Sequence, residues 1–177
     1  MAPLIYEENL NYCYFPSSLL GVGNFSTLLK LFEQAREKMY AAGNRLQWPA
    51  TYPSAELLAH DIAYGQSYIV EQEGQAVATF VLAFGADPTY ARIEGGAWLE
   101  PHRPYATIHR LASVHGVHGI AACVINWCKN KCDNLRADTH RDNHIMQRLL
   151  QANGFCYCGI IHLANGDERL AYQQVCV

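Results

Sequence analysis

The first readable hydrophobic pattern is helical. Leu28, Leu31, Phe32, Ala35 and Met39 recur every three or four positions, which predicts an amphipathic helix over residues 25–42, closed by Gly43. Ser54 is suited to cap a second helix that stops at Gly65. The period then drops to two. "SYIVEQEGQAVATFVLAF" is two strand-like runs about Glu73-Gly74, a hairpin signal. Residues 85–105, "GADPTYARIEGGAWLEPHRPY", hold too many Gly, Pro and aromatic residues for a helix, and ordered loops of this length are often functional. Regular pattern resumes with a strand over 106–113, a helix over 119–132, a strand over 135–139 and a helix over 143–153 stopped by Gly154. Two final strands, 156–163 and 168–175, flank the hairpin dipeptide Asn165-Gly166. In the first 24 residues, "NYCYF" reads as an edge strand and "PSSLLGVGN" as a loop.

Strands joined through a helix are parallel with a right-handed crossover, so 106–113 and 135–138 are expected side by side. The fold class is α/β (α+β), one mixed sheet flanked by helices. The 177 residues contain no repeat, low-complexity tract or linker, so a single domain over 1–177 is expected. Thirteen Lys and Arg against 16 Asp and Glu, a formal charge of −3, supply no general attraction for nucleic acid or an anionic membrane. With no long apolar run and no secretory leader pattern, the chain reads as cytoplasmic.

Seven cysteines raise the question of zinc, because Cys128/Cys132 and Cys156/Cys158 form two pairs with His140 and His144 between them. The first pair falls on an apolar helix face and the second alternates in a strand, so neither has the turn-borne spacing of a structural site. Reduced, packed thiols and no metal are the expectation.

"SVHGVHGIAA" joins the strand ending at Ser113 to the helix beginning near Gly119. Glycines there permit a sharp turn with exposed backbone N–H groups. At a helix N-terminus such groups form a nest for phosphate; a plain tight turn is the other reading.

Family likeness bears on that choice. "GVHGIA" resembles the Q/R-x-x-G-x-G/A signature of the general N-acetyltransferase (GNAT) superfamily: Gly119 and Ala121 match, and Gly116 replaces the usual Gln or Arg. "DTHRDNHIMQRLLQANGF" is similar to the second signature, through Asn143, Gly154 and Phe155. "WPATYPS", "DPTYARIEGGAWL", "YATIHRLAS", "LRADTH" and "GFCYCGIIHL" resemble, in that order, a bacterial GNAT subfamily; residues 1–24 fall outside.

The resemblance implies a GNAT-like sheet whose two parallel central strands splay apart, and direct transfer of an acetyl group from acetyl-CoA (coenzyme A) to an amine. It implies that the cofactor pairs with Leu111, Ala112 and Ser113, rests its pyrophosphate on Gly116, Val117, His118, Gly119, Ile120 and Ala121, and meets Asn143. The tyrosine that many members place seven residues after the Asn is Leu150 here, which leaves the acid role vacant or filled elsewhere.

An amine acceptor needs a base. Glu94, flanked by glycines, and His109, within the central strand, are the candidates; their ordinary readings are a solvated loop carboxylate and a satisfied core histidine. Trp48, Tyr52, Tyr90 and Trp98 are candidate walls of the acceptor pocket, packing being the alternative. The acceptor is a small-molecule or peptide amine, with a homodimer left open. A catalytically inactive acetyl-CoA-binding regulator and a metal-binding module are the other readings.

Overall fold

The computed structural model describes residues 25–176; the strand and loop expected within 1–24 lie outside them. Helices α1 (Phe25–Ala41) and α2 (Ala55–Ala63) lead into the hairpin β1 (Ser67–Gln72) and β2 (Gln75–Phe84). A 3-10 turn, Pro88–Tyr90, sits within the long loop before β3 (Ala106–Ser113). The remainder is α3 (Ile120–Lys129), β4 (Asn134–Thr139), α4 (His144–Ala152), β5 (Cys156–His162) and β6 (Glu168–Val175). The six strands form one mixed sheet in the order β1-β2-β3-β4-β6-β5, and β3 with β4 is its parallel pair.

Alternation along the strands sends side chains to two faces. Leu135 and Ala137 of β4 and Ala106 and Ile108 of β3 join Ile120, Val124, Ile125 and Cys128 of α3 and Leu150 of α4 in the main core. The opposite face carries two smaller clusters. Under α1 and α2 lie Leu28, Phe32, Ala35, Trp48, Leu58, Ile69 and Ala112; under the long loop lie Tyr90, Trp98, Cys158, Ile161 and Ala171. That loop has little regular structure but is well tied. Gln173 Oε1 accepts from Leu99 N at 2.7 Å, and the Arg136 guanidinium lies 4.0 Å from the Trp98 ring and 3.8 Å from that of Tyr105.

Two irregularities of β3 shape the cleft. Its pairing with β4 consists of Ala106 with Leu135, Thr107 with Arg136 and Ile108 with Ala137, after which the strands part: β3 continues along β2 to Ser113, and β4 stays with β6 to Thr139. Immediately beyond the parting, Val81 pairs with His109 and Thr79 with Ala112, so Arg110 and Leu111 together face Phe80. This is a β-bulge, and Arg110 adopts the left-handed conformation, φ 52°.

Candidate functional site

The glycine turn stands where the widening cleft opens. Gly116 and Gly119 both have φ 77°, which L side chains adopt only with strain. Gly119 is the N-cap of α3 and makes no side-chain capping bond, whereas Ser54 Oγ accepts from Leu57 N to cap α2 and Asn143 Oδ1 accepts from Met146 N to cap α4. Among the described residues the N-cap therefore gives the leading N–H groups of α3 no side-chain acceptor, and the positive end of the helix dipole carries no capping group there. A Cβ at Gly116 would meet nothing within 4 Å. His115 and His118 are exposed, Val117 and Ala121 half-buried, and buried Ile120 anchors the helix start. Leu111 packs against the main core, Ala112 lies in the cluster under α1, and Ser113 Oγ accepts from Lys38 Nζ at 3.5 Å.

At the crotch of the cleft His109 lies between two carboxylates. Its Nε2 is 3.2 Å from Asp87 Oδ2 and its Nδ1 is 4.0 Å from Asp138 Oδ1. Asp87 Oδ1 also accepts from the backbone N and the hydroxyl of Thr89, at 2.8 and 2.7 Å. The bond from His109, reinforced by Thr89, holds the Asp87 carboxyl down at about 2 despite partial burial. Tyr90 donates its hydroxyl to Asp138 Oδ1 at 2.6 Å; burial, then the neighbouring Asp138 charge, pushes its ionisation well above the ordinary value. Tyr90 is thus a neutral donor that fixes Asp138. Asp87 and Asp138 both face the His109 imidazole, which balances their charge only when protonated: neither has a Lys or Arg partner among the described residues, and residues 1–24 contain neither residue type.

Glu94 sits elsewhere. Its N and O exchange bonds of 2.9 and 2.8 Å with Ile160, which pins it to the free edge of β5, with β6 and β4 between it and β3. The fit is close: a Cβ on neighbouring Gly96 would stand 2.1 Å from Cys158 O. The Glu94 carboxylate pairs with Arg92 Nη2 at 2.6 Å and lines a shallow depression of about 350 Å³ with Pro88, Thr89, Arg92 and His162.

The aromatic residues divide. Trp48, Tyr90 and Trp98 are buried and pack inside the clusters, so their rings brace loops and leave little surface for a ligand. Tyr52 is half-buried beside the bulge, where its hydroxyl accepts from Arg110 Nη1 at 3.4 Å. Asn143, besides capping α4, donates to Gln47 Oε1 at 2.9 Å. Leu150 is a core residue. Cys156 and Tyr157 lie on the outer strand β5, away from the parting strands. No disulfide joins two of the described cysteines, and burial pushes the Cys128 thiol up to about 12. Among the described residues no His, Cys, Asp and Glu side chains group as metal ligands.

Sequence reasoning singled out His109 but neither of the carboxylates beside it, nor Asp61 and Arg110 at the bulge. Asp87 had a faint signal as the start of an Asp-Pro turn, and Asp138 as the one acid of a short strand.

A sheet opened between two parallel strands, with an uncapped glycine turn at one side, is the architecture of the acetyl-transferring GNAT fold. Most of the chain superimposes on such proteins. A GNAT-family acetyltransferase from Streptococcus agalactiae 2603 is 28% identical, with 93% of this chain and 98% of that one covered and a TM-score of 0.81. One from Listeria monocytogenes 4b F2365 is 13% identical over 91% and 94%, TM-score 0.65. The NatC complex bound to Gag peptide and CoA matches at 13% identity over 89% and 93%, TM-score 0.57. No protein-family model and no curated protein matches the sequence. The chain is a member of the GNAT fold.

Proposed function

We propose that the chain is an acyl-CoA-dependent N-acetyltransferase that passes an acetyl group from acetyl-CoA directly to a primary amine. The parting of β3 from β4 after Ile108 and Ala137, beside the uncapped start of α3, carries the reading. The residues present fit the cofactor. The β4-facing edge of β3 beyond Ile108 offers backbone groups to a pantetheine arm along Leu111 to Ser113, and the turn from Gly116 to Ala121 offers N–H donors to the pyrophosphate. The missing side chain at Gly116 removes no backbone donor. Bound acetyl-CoA supplies a thioester carbon open to attack and a thiolate leaving group. Coenzyme A in one GNAT-fold structure supports the same assignment.

The base in this proposal is His109. With its Nε2–H donated to Asp87, Nδ1 is left as a proton acceptor at the crotch, and Asp87 stabilises the imidazolium once the amine's proton arrives. A backbone N–H at the bulge would be the donor available to the acyl oxygen as negative charge develops there. Asp87 and Asp138, uncompensated by Lys or Arg, favour an acceptor that arrives as an ammonium and loses its proton in place. No side-chain acid occupies the Leu150 position, and a thiol of reference pKa about 8.5 departs without one.

Calorimetric titration with acetyl-CoA, then a screen of diamines, amino acids and peptides for thiol release, tests the reading. Metal-free binding, loss of binding in Gly119→Glu and turnover favouring cationic amines are expected. Cofactor binding without turnover of any amine would support the regulator instead. Equal affinity in Gly119→Glu would remove the turn from the site.

A further inference from the structure

The bulge of β3 contains a contradiction that only its surroundings explain. In bulges of this left-handed form the residue with positive φ is usually glycine, because a side chain there costs about 1–2 kcal/mol. Here it is arginine, φ 52°. The side chain must therefore do something glycine cannot.

Its guanidinium is the half of a buried ion pair. Arg110 Nη2 donates to both carboxylate oxygens of Asp61 on α2, at 2.8 and 2.7 Å, and the two side chains are only 10% and 4% exposed. Nη1 reaches the Tyr52 hydroxyl at 3.4 Å, and Tyr52 is itself held to α1 where its backbone O accepts from Arg36 Nη2 at 2.9 Å. Buried charge pairs add little net stability compared with apolar packing, but they hold geometry firmly, since removing one partner leaves the other unpaired. The pair joins α2 to the second residue beyond the last β3–β4 contact, Ile108 with Ala137. His109 lies between that contact and the brace.

We infer that Asp61 is a positioning residue which, through Arg110, holds the β3 bulge in the orientation that aims His109 and the bulge N–H groups into the cleft. The inference rests on the transferase reading. Asp61 touches no reacting atom in this scheme; it acts on the floor from which the reacting groups project, while the glycine turn, on the other side of Ser113, stays outside its reach.

Three variants test the brace: Asp61→Asn, nearly isosteric; Arg110→Gly, which relieves the backbone while deleting the guanidinium; and the two combined, which leaves no unpaired charge buried. Each is assayed for cofactor affinity and stoichiometry by calorimetry and for kcat per bound cofactor with the best amine of the wild-type screen. A roughly 10-fold or greater fall in kcat is expected in all three, with the dissociation constant for acetyl-CoA within about 2-fold of wild type and the double variant no worse than the poorer single one, as for residues acting as one unit. A merely stabilising pair would lower the fraction that binds and leave kcat per bound cofactor unchanged. If either single variant unfolds, the double variant decides: a folded, cofactor-binding double variant at wild-type kcat overturns the brace and leaves the transferase standing, as would wild-type kcat in both singles. Absence of transfer by the wild type overturns both.

Discussion

His109 and Glu94 are both titratable and lie close to the start of β3 in sequence, yet their surroundings differ in every respect that matters to proton transfer. His109 projects at the point where the central strands separate, 19% exposed, with Asp87 on Nε2. Glu94 is 46% exposed, neutralised by Arg92 and stitched to the outer edge of β5. One group is largely buried and held between two carboxylates; the other is an ordinary surface ion pair of small energetic weight. A glycine-flanked acid looks mobile in sequence, but the glycine at 96 brings the loop against Cys158, which holds Glu94 down.

The contrast is most sharply broken by exchanging the two outcomes. His109→Gln is expected to lower turnover by about 100-fold or more while acetyl-CoA binds as before. Near-normal rates in His109→Gln would dismiss the imidazole as base.

Asp87→Asn comes next, at about 10-fold or more in kcat, because the amide neither orients the imidazole nor balances its charge. It keeps an oxygen for Thr89, so circular dichroism should find the loop intact. Unchanged kcat would detach Asp87 from the proton path. Glu94→Gln and Arg92→Ala mark the other pole: turnover within about 3-fold of wild type and melting temperature nearly unmoved. A 100-fold loss in Glu94→Gln would reverse the assignment.

The smallest effect is on acid stability. The Asp87 carboxyl is depressed from an ordinary 3.8 to about 2, so its stabilising contribution is present above 3.8 and is lost as pH falls through about 2. The difference in melting temperature between wild type and Asp87→Asn should therefore shrink from pH 4 toward pH 2. A difference that stays constant across that window would mean that the carboxylate gains nothing from His109 and Thr89 in the folded state.

Local chemistry was legible in the chain to a considerable depth. Helical spacing of Leu28, Leu31, Phe32 and Ala35, the cap at Ser54, and the hairpin turns at Glu73-Gly74 and Asn165-Gly166 depend on neighbours within a few residues, and the structure has those elements where the pattern puts them. Parallel pairing of β3 with β4 followed from the helix between them, because a short turn cannot bring strands together in that sense. The glycines at 116 and 119 likewise announced a sharp turn by lacking side chains, and both take positive φ in the structure.

Tertiary structure alone decided which side chains meet. Tyr90 and Asp138 are 48 residues apart and Arg110 and Asp61 are 49 apart, and no periodicity links such positions. The bulge was equally hidden, since its left-handed residue is an arginine and gives no glycine signal. Trp48, Tyr90 and Trp98 left pocket wall and packing both open in the sequence, for an aromatic ring is as suited to bracing a loop as to lining a pocket; in the structure all three are buried within the clusters. The period of a segment sets its own conformation through local sterics and hydrogen bonding. The partner of a charged side chain is set by where distant segments cross, and that depends on the packing of the whole sheet and its two faces.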